Sequence, residues 1–266
     1  MEFCQVNHLD PEHTIDLSKM GMHGNLGVVF QPILEMLPKG RLFAIECLSR
    51  GPEGSALEPA DELFAWVRKR RLEYVVDQVC ITNVLREAAE LPGAPDLCIN
   101  VHSKTLSSPE FPDFVERATE QYGIPPSRII FEIVEHASSN TRWEPPPAGL
   151  SRLRSLGFRL AMDDFGVGHS NLQRLLEWHP DYLKISRYFV AGCAEDPRRL
   201  DIIETVVQLA QRFGLILIAE GIENALELDL IGSFGINHLQ GFFFSPPLKV
   251  QGLMELGVLR NGIEVL

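Results

Sequence analysis

Two carboxylates stand side by side at Asp163-Asp164, after the apolar run Leu160-Ala161-Met162 and ahead of Phe165 and a glycine-flanked turn. Other apolar runs also carry a polar group near their C-terminal end. Glu46 follows Leu42-Phe43-Ala44-Ile45, and Asn100 sits within Leu97-Cys98-Ile99-Asn100-Val101. Glu132 and Glu135 belong to the run 128–136, Lys184 to 182–186, Glu220 to 215–222 and Gln240 to 238–244. Brought together, the acids repel one another, by about 4 kcal/mol for a pair 4 Å apart at an effective dielectric of 20. A single lysine cannot neutralise them, so either several take up protons or divalent cations join them. Carboxylates and an amide carbonyl are hard oxygen donors that suit Mg²⁺ or Mn²⁺, and no Cys/His group has zinc spacing. Asp163 and Asp164 can reach two ions if one carboxylate bridges. Two ions about 3.5–4 Å apart stabilise the attacking and leaving oxygens of an in-line phosphoryl displacement. Lys184 would then position the attacking water or neutralise a phosphate oxygen.

Each residue also has a plainer reading. A single acid after a strand is usually a helix N-cap or a surface charge, and for Glu135 and Glu223 that reading stands beside the functional one. Lys184 alone is equally a structural ion-pair partner. His102, His136 and His169 read as surface or core hydrogen-bonding residues and are left out of the metal site. Phe242, Phe243 and Phe244 read as barrel packing.

The elements that must carry these groups alternate along the chain. Residues 26–34 and 41–49 read as two strands whose short link at Pro38-Lys39-Gly40 suits an antiparallel pair. A helical period runs through 61–91 and ends at Pro92-Gly93, before a strand at 97–102 and a helix with Phe111, Phe114, Val115 and Ala118 inward. Strands follow at 128–136, 159–165, 182–186, 215–222 and 238–244, separated by helices at 148–156, 171–178, 197–213 and 225–234, with a last helix at 249–258. The strands are apolar on both faces, as in a largely parallel sheet covered by helices. About eight strands in 266 residues suggest a β/α barrel, whose strand ends converge on the catalytic face.

Composition narrows the function. A net charge of −12 argues against DNA or RNA as partner, because binding a phosphate polymer is driven by Lys and Arg; a small anion held through metal ions stays possible. Cys4, Cys47, Cys80, Cys98 and Cys193 are scattered without a C-x-x-C pair, which suits reduced thiols in a cytoplasmic protein. The first 17 residues lack a signal-peptide pattern, and the apolar stretch 215–219 is too short for membrane insertion. Residues 1–25 read as an N-terminal extension and 26–266 as one barrel domain.

At these residues the sequence resembles the EAL-domain phosphodiesterases, which hydrolyse cyclic di-GMP. The signature stands here as Glu46-Cys47-Leu48-Ser49-Arg50, preceded by Phe30-Gln31-Pro32-Ile33. Further blocks lie at Ile99–Val101, Phe131–Glu135, Asp163–Gly168, Leu183–Ile185, Ala219–Glu223 and Gln240–Phe242, in the family's order from about residue 26 to 248. The resemblance implies an α/β fold, a modified (β/α)₈ TIM-like barrel with one antiparallel strand. It implies hydrolysis of cyclic di-GMP to linear 5′-pGpG with two Mg²⁺ or Mn²⁺ ions. Ca²⁺, with its longer bonds and larger ligand number, is expected to inhibit. By resemblance Glu46, Asn100, Glu132 and Asp163 hold the first ion, and Asp163, Asp164 and Glu220 hold or serve the second. Lys184 orients the attacking water, Gln240 supports the site through water, Arg50 binds a phosphate and Gln31 lies near the substrate. Glu220 is also a candidate general base, and the sequence does not separate base from ligand. A guanine base could stack near the phenylalanines at 242–244. Glu135 would anchor the loop 165–172, which in the family links a homodimer interface to the metals.

This chain departs from the family's usual residues at His102, Val134, Ser186, Pro246 and, in the loop, Val167, His169 and Asn171. None of these removes a metal ligand. A cyclic di-GMP receptor without turnover and an unrelated metal-dependent barrel enzyme are the alternatives. The full set of acids favours the hydrolase, because keeping them costs repulsion if metal never binds.

Overall fold

Eight strands close a barrel in chain order: β1 (Gly27–Glu35), β2 (Arg41–Arg50), β3 (Asp96–His102), β4 (Ile129–Val134), β5 (Arg159–Phe165), β6 (Tyr182–Ile185), β7 (Ile216–Ala219) and β8 (His238–Leu239). This computed structural model describes residues 17–20, 22, 25–37, 40–134, 147–167 and 172–256. β1 is antiparallel to both β2 and β8, and every other neighbouring pair is parallel. This is the modified barrel with one antiparallel strand that the short link before Arg41 suggests.

Side chains on one face of a strand recur every second residue, and that period builds the interior. Ile33, Ala44, Cys98, Ile130, Ala161, Tyr182 and Ile218, one from each of β1 to β7, form a single buried cluster. Two residues further along each parallel strand stand Glu46, Asn100, Glu132, Asp163, Lys184 and Glu220. On β1, which runs the other way, the matching step is backwards and reaches Gln31. An apolar floor thus carries a polar layer directly above it. Outside the barrel, helices cover the sheet: α1 (Ala60–Arg70), α2 (Glu73–Ala88), α3 (Ser103–Leu106), α4 (Phe111–Tyr122), α5 (Leu150–Ser155), α6 (Leu172–Trp178), α7 (Arg187–Val190), α8 (Pro197–Phe213), α9 (Ala225–Ser233) and α10 (Val250–Glu255). Their inward faces form large apolar clusters against the strands.

Three expectations need correction. The helix expected over 61–91 breaks into α1 and α2 at Arg71, whose φ of 58° is left-handed. The Arg71 and Leu72 N–H groups bond back to Arg68 and Val67 carbonyls, so the turn closes without glycine. The break lets Leu63 and Val67 share one cluster with Val76, Cys80, Leu17, Met22 and Leu26. The last strand spans only His238–Leu239, not 238–244. There Gly241 passes so close to Ile222 that an added Cβ would lie 2.1 Å from the Ile222 carbonyl oxygen. Phe243 donates its N–H to that oxygen, and the chain turns out of the sheet. Strand seven likewise ends at Ala219 rather than 222. Cys47, Cys80, Cys98 and Cys193 are free and buried. Among the described residues, no helix is long and apolar enough to cross a membrane.

Candidate active site

Lys184 is the centre of the polar layer and is fully buried. Its Nζ lies 2.5 Å from Glu220, 3.0 Å from Glu132, 3.5 Å from Asp163 and 3.6 Å from Glu46. An ammonium has three protons, so these acids outnumber both its charge and its donors. Burial pushes the Glu132 carboxyl up to about 8, against the opposing pull of Lys184 and with help from Glu46 and Asp163. Burial also raises Asp163 and raises Glu220 well above the ordinary carboxylate range. Burial alone would lower the lysine, yet the surrounding acids hold it well above its usual value. Lys184 therefore stays charged, and protons are retained among the acids at neutral pH.

Amides frame the acids. Gln240 Nε2 donates to Glu46 Oε2 at 2.5 Å and to Gln31 Oε1 at 2.9 Å. Gln31 in turn donates to the Ser245 carbonyl at 3.0 Å. Asn100 Nδ2 makes a long 3.5 Å contact with Glu46 Oε1. Arg50, half-buried at the end of β2, donates to the Ser49 carbonyl.

The adjacent aspartates are explained by an irregularity in the sheet. Side chains of consecutive strand residues point to opposite faces, so Asp163 and Asp164 should diverge. Met162 pairs with Leu183 and Phe165 with Ile185. Asp163 and Asp164 therefore stand opposite Lys184 alone. This extra residue is a β-bulge, a device that re-aims side chains at barrel rims. Asp164 takes φ 49°, and its N–H donates to Asp163 Oδ1 at 2.9 Å. As a result Asp163, Asp164 and Glu220 each bring a carboxylate oxygen within 4.8 Å of the others.

The donors suit a hard divalent cation. They are oxygens throughout, Glu132 Oε1 is buried without a hydrogen-bond partner, and the three-carboxylate cluster has the dimensions to hold an ion. An ammonium already sits among these acids, as expected of a place that demands positive charge.

The sequence model of the EAL domain matches residues 16–247. The chain belongs to the EAL domain family. Over 241 residues it is 31% identical to the cyclic di-GMP phosphodiesterase RocR of Pseudomonas aeruginosa, a match covering 88% of this chain and 60% of RocR. It spans still smaller shares of other curated relatives. BlrP1 of Klebsiella pneumoniae, solved with cyclic di-GMP and either manganese or calcium, superposes with a TM-score of 0.74 at 29% identity, covering 84% of this chain and 56% of that one. A standalone EAL protein of Vibrio cholerae, solved with cyclic di-GMP, gives 0.75 at 25% identity, covering 86% of this chain and 94% of that one.

Two lobes of the EAL domain's cleft meet at the acids. One, of about 240 Å³, is lined by Gln31, Glu220, Gln240, Arg187, Glu223 and Phe242 among others. The second, of about 430 Å³, runs between β2, β3 and α1 past Arg50, Asp61, Phe64, Arg68, Asn100 and His102. Glu46, Leu48 and Asp163 line both. Every expected site residue among those described thus lies in the polar layer or on the wall of a lobe. Glu135, with His136 and His169, lies outside the described residues. Glu223 is not the cap of α9: that is Asn224, and Glu223 pairs with Arg187 across the smaller lobe. His102 is the buried hydrogen-bonding residue its plain reading suggests, with Nδ1 2.8 Å from Asp77. Phe243 and Phe244 pack on the core, but Phe242 is 63% exposed and faces the cleft.

The residues not singled out from sequence are Asp61, Phe64, Arg68 and Asp77 on α1 and α2, and Arg187 on α7. Asp77 alone leaves a signal, a charge embedded in the apolar stripe of Val76, Val79 and Cys80. Asp61, Phe64 and Arg68 read as ordinary helix residues until the break at Arg71 turns α1 toward the cleft, and Arg187 leaves no trace until α7 is placed beside the smaller lobe.

Proposed function

We propose that this EAL domain hydrolyses cyclic di-GMP to linear 5′-pGpG, using a barrel unit that begins near residue 26. The observation that carries the reading is the crowding of Glu46, Glu132, Asp163 and Glu220 around Lys184 where two lobes of one cleft join. A substrate made of two like halves, cut at a phosphodiester between them, suits such a cleft. The resemblance of the chain to RocR supports the same chemistry.

Glu46, Asn100, Glu132 and Asp163 would hold one Mg²⁺ or Mn²⁺, and Asp163, Asp164 and Glu220 a second. When bound, such ions supply positive charge that stabilises phosphoryl transfer. The remaining work falls to the chain's own groups. Arg50 holds a phosphate from the wall of the larger lobe. Gln31 and Gln240 fix each other and Glu46, so the rim beside the substrate is set before binding. Lys184 Nζ orients the attacking water and keeps positive charge in a region closed to solvent. Glu220, 2.5 Å from Lys184 Nζ, is placed to accept a proton from that water.

Incubation with cyclic di-GMP and Mg²⁺ or Mn²⁺, followed by chromatography of the nucleotides, is expected to yield pGpG. With Ca²⁺ no turnover is expected, because a larger, less directional ion occupies the acids without the required geometry. Equal rates with calcium and manganese would overturn that argument. Binding of the dinucleotide without cleavage in any of the three would make the domain a receptor.

We place the domain in the cytoplasm, where its buried thiols stay reduced. We further propose a homodimer, supported by Leu172 and Leu176, which are 62% and 58% exposed on α6 beside the end of β5. Light scattering is expected to give twice the chain mass at micromolar concentration, and a monomer there removes the proposal.

A further inference from the structure

We infer that Ser186 is the positioning residue for Asp164, holding its carboxylate toward the second ion. This rests on the two-ion reading given above. Ser186 follows β6 immediately and is 5% exposed. Its hydroxyl donates to Asp164 Oδ1 at 2.7 Å. Ser186 Oγ itself accepts the Tyr188 N–H at 3.4 Å, capping α7, so the hydroxyl is oriented from both sides. At the far end of α7, the Gly192 N–H is held by the buried Glu227 at 2.7 Å.

Asp164 needs such a restraint. The bulge gives it a left-handed backbone, and unlike Asp163 it is exposed. The Asp163 carboxylate is held by Lys184 Nζ at 3.5 Å, whereas the support for the Asp164 carboxylate is Ser186. A hydroxyl is well matched to the task because it gives Asp164 a proton without adding charge.

The experiment is titration of the metal-free chain with Mn²⁺ alone, read by calorimetry and by electron paramagnetic resonance of free Mn²⁺, for wild type, Ser186→Ala and Ser186→Thr. Wild type is expected to take up two ions. Ser186→Ala is expected to keep the first and to bind the second about 10–100-fold more weakly, the usual cost of losing an outer hydrogen-bond partner of a ligand. Ser186→Thr, which keeps the hydroxyl, is expected to restore it. Melting of the metal-free variants registers the lost cap on α7 separately. Unchanged binding of both ions in Ser186→Ala overturns the inference and leaves the proposed function intact. So does equal weakening of both ions, or a threonine variant that behaves like alanine. A wild type that binds no Mn²⁺, or only one ion, overturns the inference together with the two-ion reading.

Discussion

Alanine in place of Glu46 is expected to slow hydrolysis of cyclic di-GMP more than about 100-fold, while the barrel stays folded. The size of the effect follows from position. Glu46 lines both lobes, and its oxygens meet Gln240, Asn100 and Lys184. Its removal opens the proposed first ion's shell and frees the Gln240 amide that orders the rim. Stability should change little, because lost hydrogen bonds are offset by relief of repulsion among the acids, leaving a net within about 1 kcal/mol. Product chromatography and a thermal melt of the same preparation check both halves. A variant that hydrolyses at the wild-type rate would remove Glu46 from the site.

The largest effect on stability is expected at Lys184. Removing one partner of a buried ion cluster costs about 3–5 kcal/mol, because the remaining charges are left uncompensated. Lys184→Met does this to four acids at once, and pH should control how much is lost. Glu132 has a folded-state pKa of about 8 against an ordinary 4.5, so the folded chain binds more protons than the unfolded one between those values. Stability of the metal-free protein therefore falls as pH rises through that window. Lys184, held well above its usual 10.5, remains charged throughout it and titrates only at higher pH. Without the lysine Glu132, Asp163 and Glu220 lose their main opposing charge and retain protons still more strongly. The gap in melting temperature between wild type and Lys184→Met, measured with chelator, should accordingly be small at pH 5 and large at pH 8. Mn²⁺ should narrow the pH 8 gap. Equal gaps at the two pH values would contradict this account of the cluster.

Much of the site is legible in the sequence because a strand writes its two faces in alternate letters. Ala44 then Glu46, Cys98 then Asn100, Ile130 then Glu132: each pair is one step from apolar floor to polar layer, and the step is visible wherever a strand is long and apolar. Asp163-Asp164 breaks the alternation, and the break marks a bulge that pairing alone reveals. Other features left no such trace. The left-handed turn at Arg71 uses a residue with no turn preference, so 61–91 reads as one helix. The exit of the chain after Leu239 depends on contact between Gly241 and Ile222, which are distant in sequence, so three phenylalanines in a row read as more strand. Arg68 and Phe64 enter the cleft only through packing of α1 on α2.

The reversed direction of β1 has a mechanical consequence. Its first residue, Gly27, is paired with Arg50, whereas its last, Glu35, is paired with His238 at the opposite mouth of the barrel. Polypeptide leading into the sheet thus arrives on the catalytic side. The Leu26 carbonyl is bolted to α2 by Asn83 at 3.1 Å, one rung from that arginine. Traction or twist upstream of Leu26 would be delivered to the Arg50 edge of the cleft before reaching the apolar floor.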